Sequence, residues 1–175
     1  MIPPLWLLDV DGVLCPVGQG TVHGPHPHAH GASPAQVSTA AGLWVCWDEH
    51  VVQAINRLHA DGLVDIRWVT TWGPAAVDLG RVLGLPELPV VHLPADAGHR
   101  STKATAGIEL LQSHPGRPFV WTDDHLNRSW RSMIKTALID RPALLIQPQT
   151  DIGLTATHLR RIEAFARTYT TGQHP

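Results

Sequence analysis

The stretch Leu5–Leu14, LWLLDVDGVL, decides how this chain is read. Four apolar residues run straight into Asp9, Val10 separates it from Asp11, and Gly12 follows where the backbone must turn. A short, continuous apolar run is the pattern of a central strand covered on both faces. Such a strand delivers two acids to its carboxyl end. Crowded carboxylates cost free energy unless a cation or a shared proton offsets their charge, so Asp-x-Asp at this position points to chemistry.

Working outward, Pro3 and Pro4 block regular structure before the strand. From Cys15 to Gly42 the composition shifts to Gly, Pro, His, Ser and Ala without helical or strand periodicity. This reads as a flap insertion over about residues 15–47, with Val17–Val22 and Leu43–Trp47 as apolar flanks able to pair as a hairpin beneath it. Asp48 reads as the N-cap of a helix with Val51, Ile55 and Leu58 on one face, ending near Asp61 and Gly62. Val64–Thr70 is a second strand, and Pro74 opens a helix as its first residue, with Gly84 closing it. Val90–Leu93 is a third short strand, after which Ser101 or Thr102 caps a helix carrying Lys103 in its first turn. Pro118–Thr122 is a fourth strand that ends on Asp123 and Asp124, followed by a helix over Asn127–Lys135. Ala143–Ile146 is a fifth strand, and Thr155 caps a last helix with Leu159, Ile162, Ala166 and Tyr169 along one side.

About five short apolar strands alternating with helices predict an α/β fold, a parallel sheet with helices on both faces. In such sheets ligands bind beyond the carboxyl ends of the strands, at the point where the strand order reverses. Asp9, Asp11, Thr70, Asp123 and Asp124 all follow directly on predicted strands, and Lys103 starts a helix reached from the same edge. Only the folded sheet gathers them.

The 175 residues are read as one domain, 1–175, with 43% hydrophobic and 16% charged residues, as in globular proteins. No window approaches 18 consecutive apolar residues, and the first residues lack a basic segment and a small-residue cleavage site, so a cytoplasmic protein with no membrane partner is expected. Cys15 and Cys46 are expected to be free thiols. A net charge of −2 advertises no broad nucleic-acid surface, though it leaves room for a local patch, and it is silent on oligomeric state. The chain has eleven Arg but two Lys, so a lysine at the head of a helix beside two acids suggests that a compact ammonium is required there. Arg100 is the alternative cation.

LLDVDGVL, then WVTT after a strand, then a lone Lys at a helix start, then FVWTDD, is an ordered pattern that resembles the haloacid-dehalogenase-like (HAD) superfamily of phosphohydrolases. IRWVTTW, TDDHL and the late GLT before the last helix further resemble small bacterial HAD domains associated with RNA-repair proteins. The four-motif resemblance spans residues 5–124. It implies a Rossmann-like HAD fold without a large cap domain and a Mg²⁺-dependent phosphatase working through an aspartyl-phosphate. Asp9 is then the nucleophile and Asp11 the general acid and base. Thr70 holds a phosphate oxygen, with Thr71 as its competitor, and Lys103 offsets charge at the nucleophile and the phosphoryl group. Asp9, Asp11 through its carbonyl, and Asp123 or Asp124 bind Mg²⁺. Gly12, Thr71 and Trp72 are the remaining substrate-side candidates. The implied substrate is a phosphomonoester, and an open site suits a bulky one such as a nucleic-acid end.

Other readings compete for these residues. A HAD-like shell with weak catalysis that binds a repair protein or another partner is the alternative to an enzyme, and a phosphotransferase lacks a Walker-type phosphate loop. His23, His26, His28 and His30 have no fixed ligand geometry and read as loop or flap rather than as a metal site. Trp44, Trp47 and Trp72 flank the flap or the Thr70 motif, where an indole can stack on a base or sugar. Asp48, Asp61 and Asp151 are caps and turns.

Overall fold

The computed structural model describes residues 2–17, 35–40, 43–93 and 99–170. At its centre is β1 (Leu5–Leu8), whose side chains are all buried and part by parity. Trp6 and Leu8 join one apolar cluster, while Leu5 and Leu7 join another on the opposite face. Successive strand side chains point to opposite faces, so a strand apolar at every position can serve two helical layers.

The remaining elements are β2 (Ala35–Ala40), β3 (Leu43–Asp48), α1 (Glu49–Ala60), β4 (Asp65–Trp68), α2 (Ala75–Leu83), α3 (His99–Gln112), β5 (Phe119–Thr122), α4 (Arg128–Ala137), β6 (Ala143–Ile146) and α5 (Ala156–Thr170). Strands β4, β1, β5 and β6 form a parallel sheet in that order. Apolar residues of α1, α2 and α5 pack on the Trp6 face, and those of α3 and α4 on the Leu7 face. The α/β fold with helices on both faces is therefore as expected. From β1 the chain moves to β4 on one side, then crosses to β5 and β6 on the other. The reversal point lies at the carboxyl ends of β1 and β5.

Three expectations are corrected. Val90–Leu93 is not a strand: Val90 forms a single parallel bridge to Trp68, so the sheet has four strands rather than five. Pro86 and Pro89 flank this segment, and prolines supply no N–H to extend a ladder. β3 pairs antiparallel with β2, while the hairpin expected between Leu43–Trp47 and Val17–Val22 falls on residues 18–22, outside the described residues. Val17 donates its N–H to the Thr150 carbonyl at 2.8 Å. Pro74 is the N-cap of α2 rather than its first residue, and α3 begins at His99, so Ser101 and Thr102 lie inside its first turns rather than capping it. The His-rich segment 23–30, with the rest of 18–34, lies outside the described residues, as do the side chains of Trp44 and Arg100.

Several local readings hold. Asp48 caps α1, accepting the His50 N–H at 2.8 Å, and Gly84 closes α2 in the left-handed conformation. Cys15 and Cys46 are free thiols. Among the described residues no helix is long and apolar enough to cross a membrane.

Candidate functional site

The register aligns Leu8 with Trp68 on one side and with Thr122 on the other, which puts Asp9 and Asp123 in the next rank of adjacent strands. The ladder continues through them: Asp9 N–H donates to the Thr122 carbonyl at 3.2 Å and Asp123 N–H to the Ile146 carbonyl at 3.2 Å. By parity Asp9 follows Leu5 and Leu7, and Asp123 follows Phe119 and Trp121, so both acids belong to the face covered by α3. From the head of that helix Lys103 reaches between them. Its Nζ donates to Asp9 Oδ2 at 2.6 Å and lies 2.9 Å from Asp123 Oδ2.

All three side chains are at least nine-tenths buried. Lys103 is the one cation paired with Asp123 Oδ2 among the described residues, so this buried oxygen depends on an ammonium it shares with Asp9. Two ionised carboxylates against one ammonium leave one net negative charge in the interior. Burial, then the charge of Asp123, pushes the Asp9 carboxyl up to about 7 against the pull of Lys103. Burial raises Asp123 as well, although Lys103 and the His125 N–H at 2.8 Å from its Oδ1 oppose this. Burial alone would lower Lys103, but Asp9 and Asp123 outweigh it and hold the ammonium charged. The cluster is short of one positive charge.

Beyond Asp9 the chain folds into a tight turn in which the N–H groups of Val13, Leu14 and Cys15 converge on the Val10 carbonyl at 3.1, 2.9 and 3.0 Å. Gly12 takes a φ of +68°, and a Cβ there would stand 2.5 Å from Asp124 Oδ2. Glycine is required both by the backbone and by the close approach of this acid. Asp11 is exposed at the mouth, where its Oδ2 accepts the Trp72 Nε1–H at 3.0 Å. Removal of water by the surrounding protein raises the Asp11 carboxyl, and the Trp72 bond works in the opposite direction.

Thr70 is fully buried just after β4, and its Oγ1 accepts the Trp72 N–H at 3.4 Å while Thr71 is exposed. Asp124 accepts from Thr150 Oγ1 at 2.9 Å through Oδ2 and pairs with His125 Nδ1 at 2.5 Å through Oδ1. One ligand atom from each of Asp123, Asp124 and His125 falls within 4.8 Å of the others, a group able to hold a cation that does not include Asp9 or Asp11.

The structure thus joins Asp9, Lys103 and Asp123 directly, Asp11 with Trp72, and Gly12 with Asp124. Thr70 is engaged by its own turn. Sequence reasoning assigned no role to His125, although it directly follows the two acids. It also missed Thr150, which lies in the loop after β6 and carries no local signal. A separate cavity of about 630 Å³ lies between α1 and α5, lined by Ala54, Leu58, Leu154 and Leu159 with Arg57 and Arg160. None of the four clustered acids lines it.

No family model matches the chain, and no curated protein matches its sequence. The family resemblance thus stands on the four motifs and their order.

Proposed function

We propose that the protein is a Mg²⁺-dependent phosphohydrolase of the HAD type, cleaving a phosphomonoester through an aspartyl-phosphate on Asp9. One observation carries this reading: two buried acids at the reversal point of the sheet share a single ammonium. A charge deficit of this kind destabilises a fold unless a cation or a proton is taken up, and natural sequences retain such strain at functional sites.

The donor set fits magnesium. It consists of hard oxygen atoms, one of them the buried Asp123 Oδ2 that shares the Lys103 ammonium with Asp9, and Mg²⁺ prefers carboxylate oxygens with retained waters. Asp9, the Asp11 carbonyl and Asp123 or Asp124 would hold the ion. When bound, it offsets the charge of the nucleophile and of the phosphate, which otherwise repel.

The chain's own residues then divide the work. An ionised Asp9 oxygen attacks phosphorus while the bond to the ester oxygen breaks, and that oxygen takes up the electron pair with a proton from Asp11. Asp11, now a carboxylate, next removes a proton from water as the water oxygen bonds to phosphorus and the Asp9–phosphorus bond breaks. Lys103 keeps Asp9 charged and aimed, and Thr70 can offer its hydroxyl to a phosphate oxygen. The exposure of Asp11 at the mouth supports a bulky ester, with a nucleic-acid end as one such substrate.

The test is phosphate release from an aryl phosphate and from 3′- and 5′-phosphorylated oligonucleotides, with Mg²⁺ or with chelator, by native protein and by Asp9→Asn. The expected result is Mg²⁺-dependent turnover that falls more than about a thousandfold in the variant. Absence of turnover on all substrates, with equal Mg²⁺ binding by both proteins, would favour a binding module.

A further inference from the structure

We infer that Trp72 is a positioning residue for Asp11, its indole N–H fixing the carboxyl so that the proton for the leaving group is carried on Oδ1. The inference rests on the phosphatase reading above and assigns Trp72 a part in it that differs from stacking on the substrate. Asp11 stands on an exposed turn, where a carboxylate ordinarily samples several rotamers. Trp72 removes that freedom. Its ring is packed against the core cluster on the Trp6 face, its backbone N–H is tied to Thr70 Oγ1 at 3.4 Å, and its Nε1–H ends on Asp11 Oδ2 at 3.0 Å. A side chain with two rotatable bonds, anchored at both ends, is a rigid strut.

The polarity of the strut matters as much as its stiffness. Indole nitrogen is a donor only, so Oδ2 must be the acceptor whether Asp11 is protonated or not. The carbonyl oxygen of a carboxylic acid is the better acceptor, so this bond favours the acidic proton on Oδ1, which has no hydrogen-bond partner among the described residues. In the first half-reaction this proton passes from Oδ1 to the ester oxygen as the P–O bond breaks and the bond from Asp9 forms. In the second, Oδ1 recovers a proton from the attacking water. Help from an acid counts most when the leaving oxygen is strongly basic, as in an alkyl ester, and least for an aryl ester whose phenolate leaves readily.

Two variants of Trp72 separate the N–H from the ring. Trp72→Phe keeps an aromatic ring and loses the donor; Trp72→His keeps an N–H on a smaller ring. Both are assayed beside native protein and Asp11→Asn for kcat and KM on an alkyl and an aryl phosphate with Mg²⁺, after thermal melting has shown which variants are folded. Trp72→Phe is expected to lower kcat on the alkyl ester about tenfold and on the aryl ester about twofold, with little change in KM. Trp72→His is expected to recover part of the alkyl-ester loss. In an Asp11→Asn background, Trp72→Phe should add little, because the partner it positions is gone. Equal losses on both esters, a change confined to KM, or a Phe variant that matches native protein while His is impaired would each overturn the inference and leave the phosphatase reading intact. Failure of native protein to turn over either ester would overturn both.

Discussion

The two edges of the sheet each carry an ionic cluster of three residues, and they are built in opposite ways. At the amino edge Asp65 is shared by two guanidinium groups, Arg67 at 3.0 Å and Arg117 at 2.9 Å, and Arg117 Nε also donates to the Pro3 carbonyl at 2.6 Å. Cations outnumber the acid, and Asp65 and Arg67 keep 27% and 28% of their side-chain surface in water. At the carboxyl edge Asp9 and Asp123 share one ammonium, with side-chain exposures of 4%, 0% and 7% for Asp9, Asp123 and Lys103. The first cluster has an excess of cations and partial access to solvent, although Arg67 Nε is buried without a hydrogen-bond partner. The second is dry and short of positive charge, a condition that a bound cation or a proton relieves. Ion pairs that only brace a fold look like the amino edge.

Breaking the buried cluster should have the larger effect. Lys103→Met leaves two acids in the interior without a counter-charge and is expected to lower stability at pH 8 by about 3–5 kcal/mol, read by urea unfolding. A loss below about 1 kcal/mol would mean that the ammonium is not what holds the acids there. Next comes pH. Asp9 has a folded-state pKa raised from 3.8 to about 7, so its contribution to stability is fully present below the unfolded value and is lost as pH rises toward 7 and beyond. Asp123, also raised, acts in the same direction. In chelator the native protein should therefore lose stability relative to Asp9→Asn between about pH 4 and pH 8, with a ceiling of about 4 kcal/mol. Added Mg²⁺ should flatten that difference. Parallel melting profiles for the two proteins across this range, with or without Mg²⁺, would remove the charge deficit from the account. The smallest effect belongs to the amino edge, where Arg67→Ala should cost about 0.5–1 kcal/mol, because partly exposed pairs are screened and Arg117 still holds Asp65. A cost equal to that of Lys103→Met would erase the contrast.

Much of the framework was legible because short-range rules govern it. Leu5–Leu8 could be recognised as a two-faced strand from its unbroken apolarity, and Asp48 as a cap from a polar residue just ahead of a helical period. The errors fell where a distant partner decides the outcome. Val90 has the composition of a strand, yet pairing in its place stops at one bridge. Val17 gives its N–H to the Thr150 carbonyl, a contact that no local signal announces. The same holds within the candidate site. Asp9, Asp11, Lys103, Asp123 and Asp124 stand out by residue type and by their position after strands or at a helix head. Thr150 became visible only through its bond to Asp124, made 26 positions away along the chain.

By itself, then, the sequence determined that acids, a hydroxyl and a lysine would stand at the ends of apolar strands and at one helix head, since strand and helix signals are local. It did not determine who would touch whom. Register put Asp9 and Asp123 in one rank, parity turned both toward α3, and only then did one ammonium answer to two carboxylates. Likewise, nothing in the spacing of Asp11 and Trp72 announces a hydrogen bond across 61 positions. Contacts between strand ends depend on the order in which the strands lie in the sheet, and packing of the whole chain sets that order.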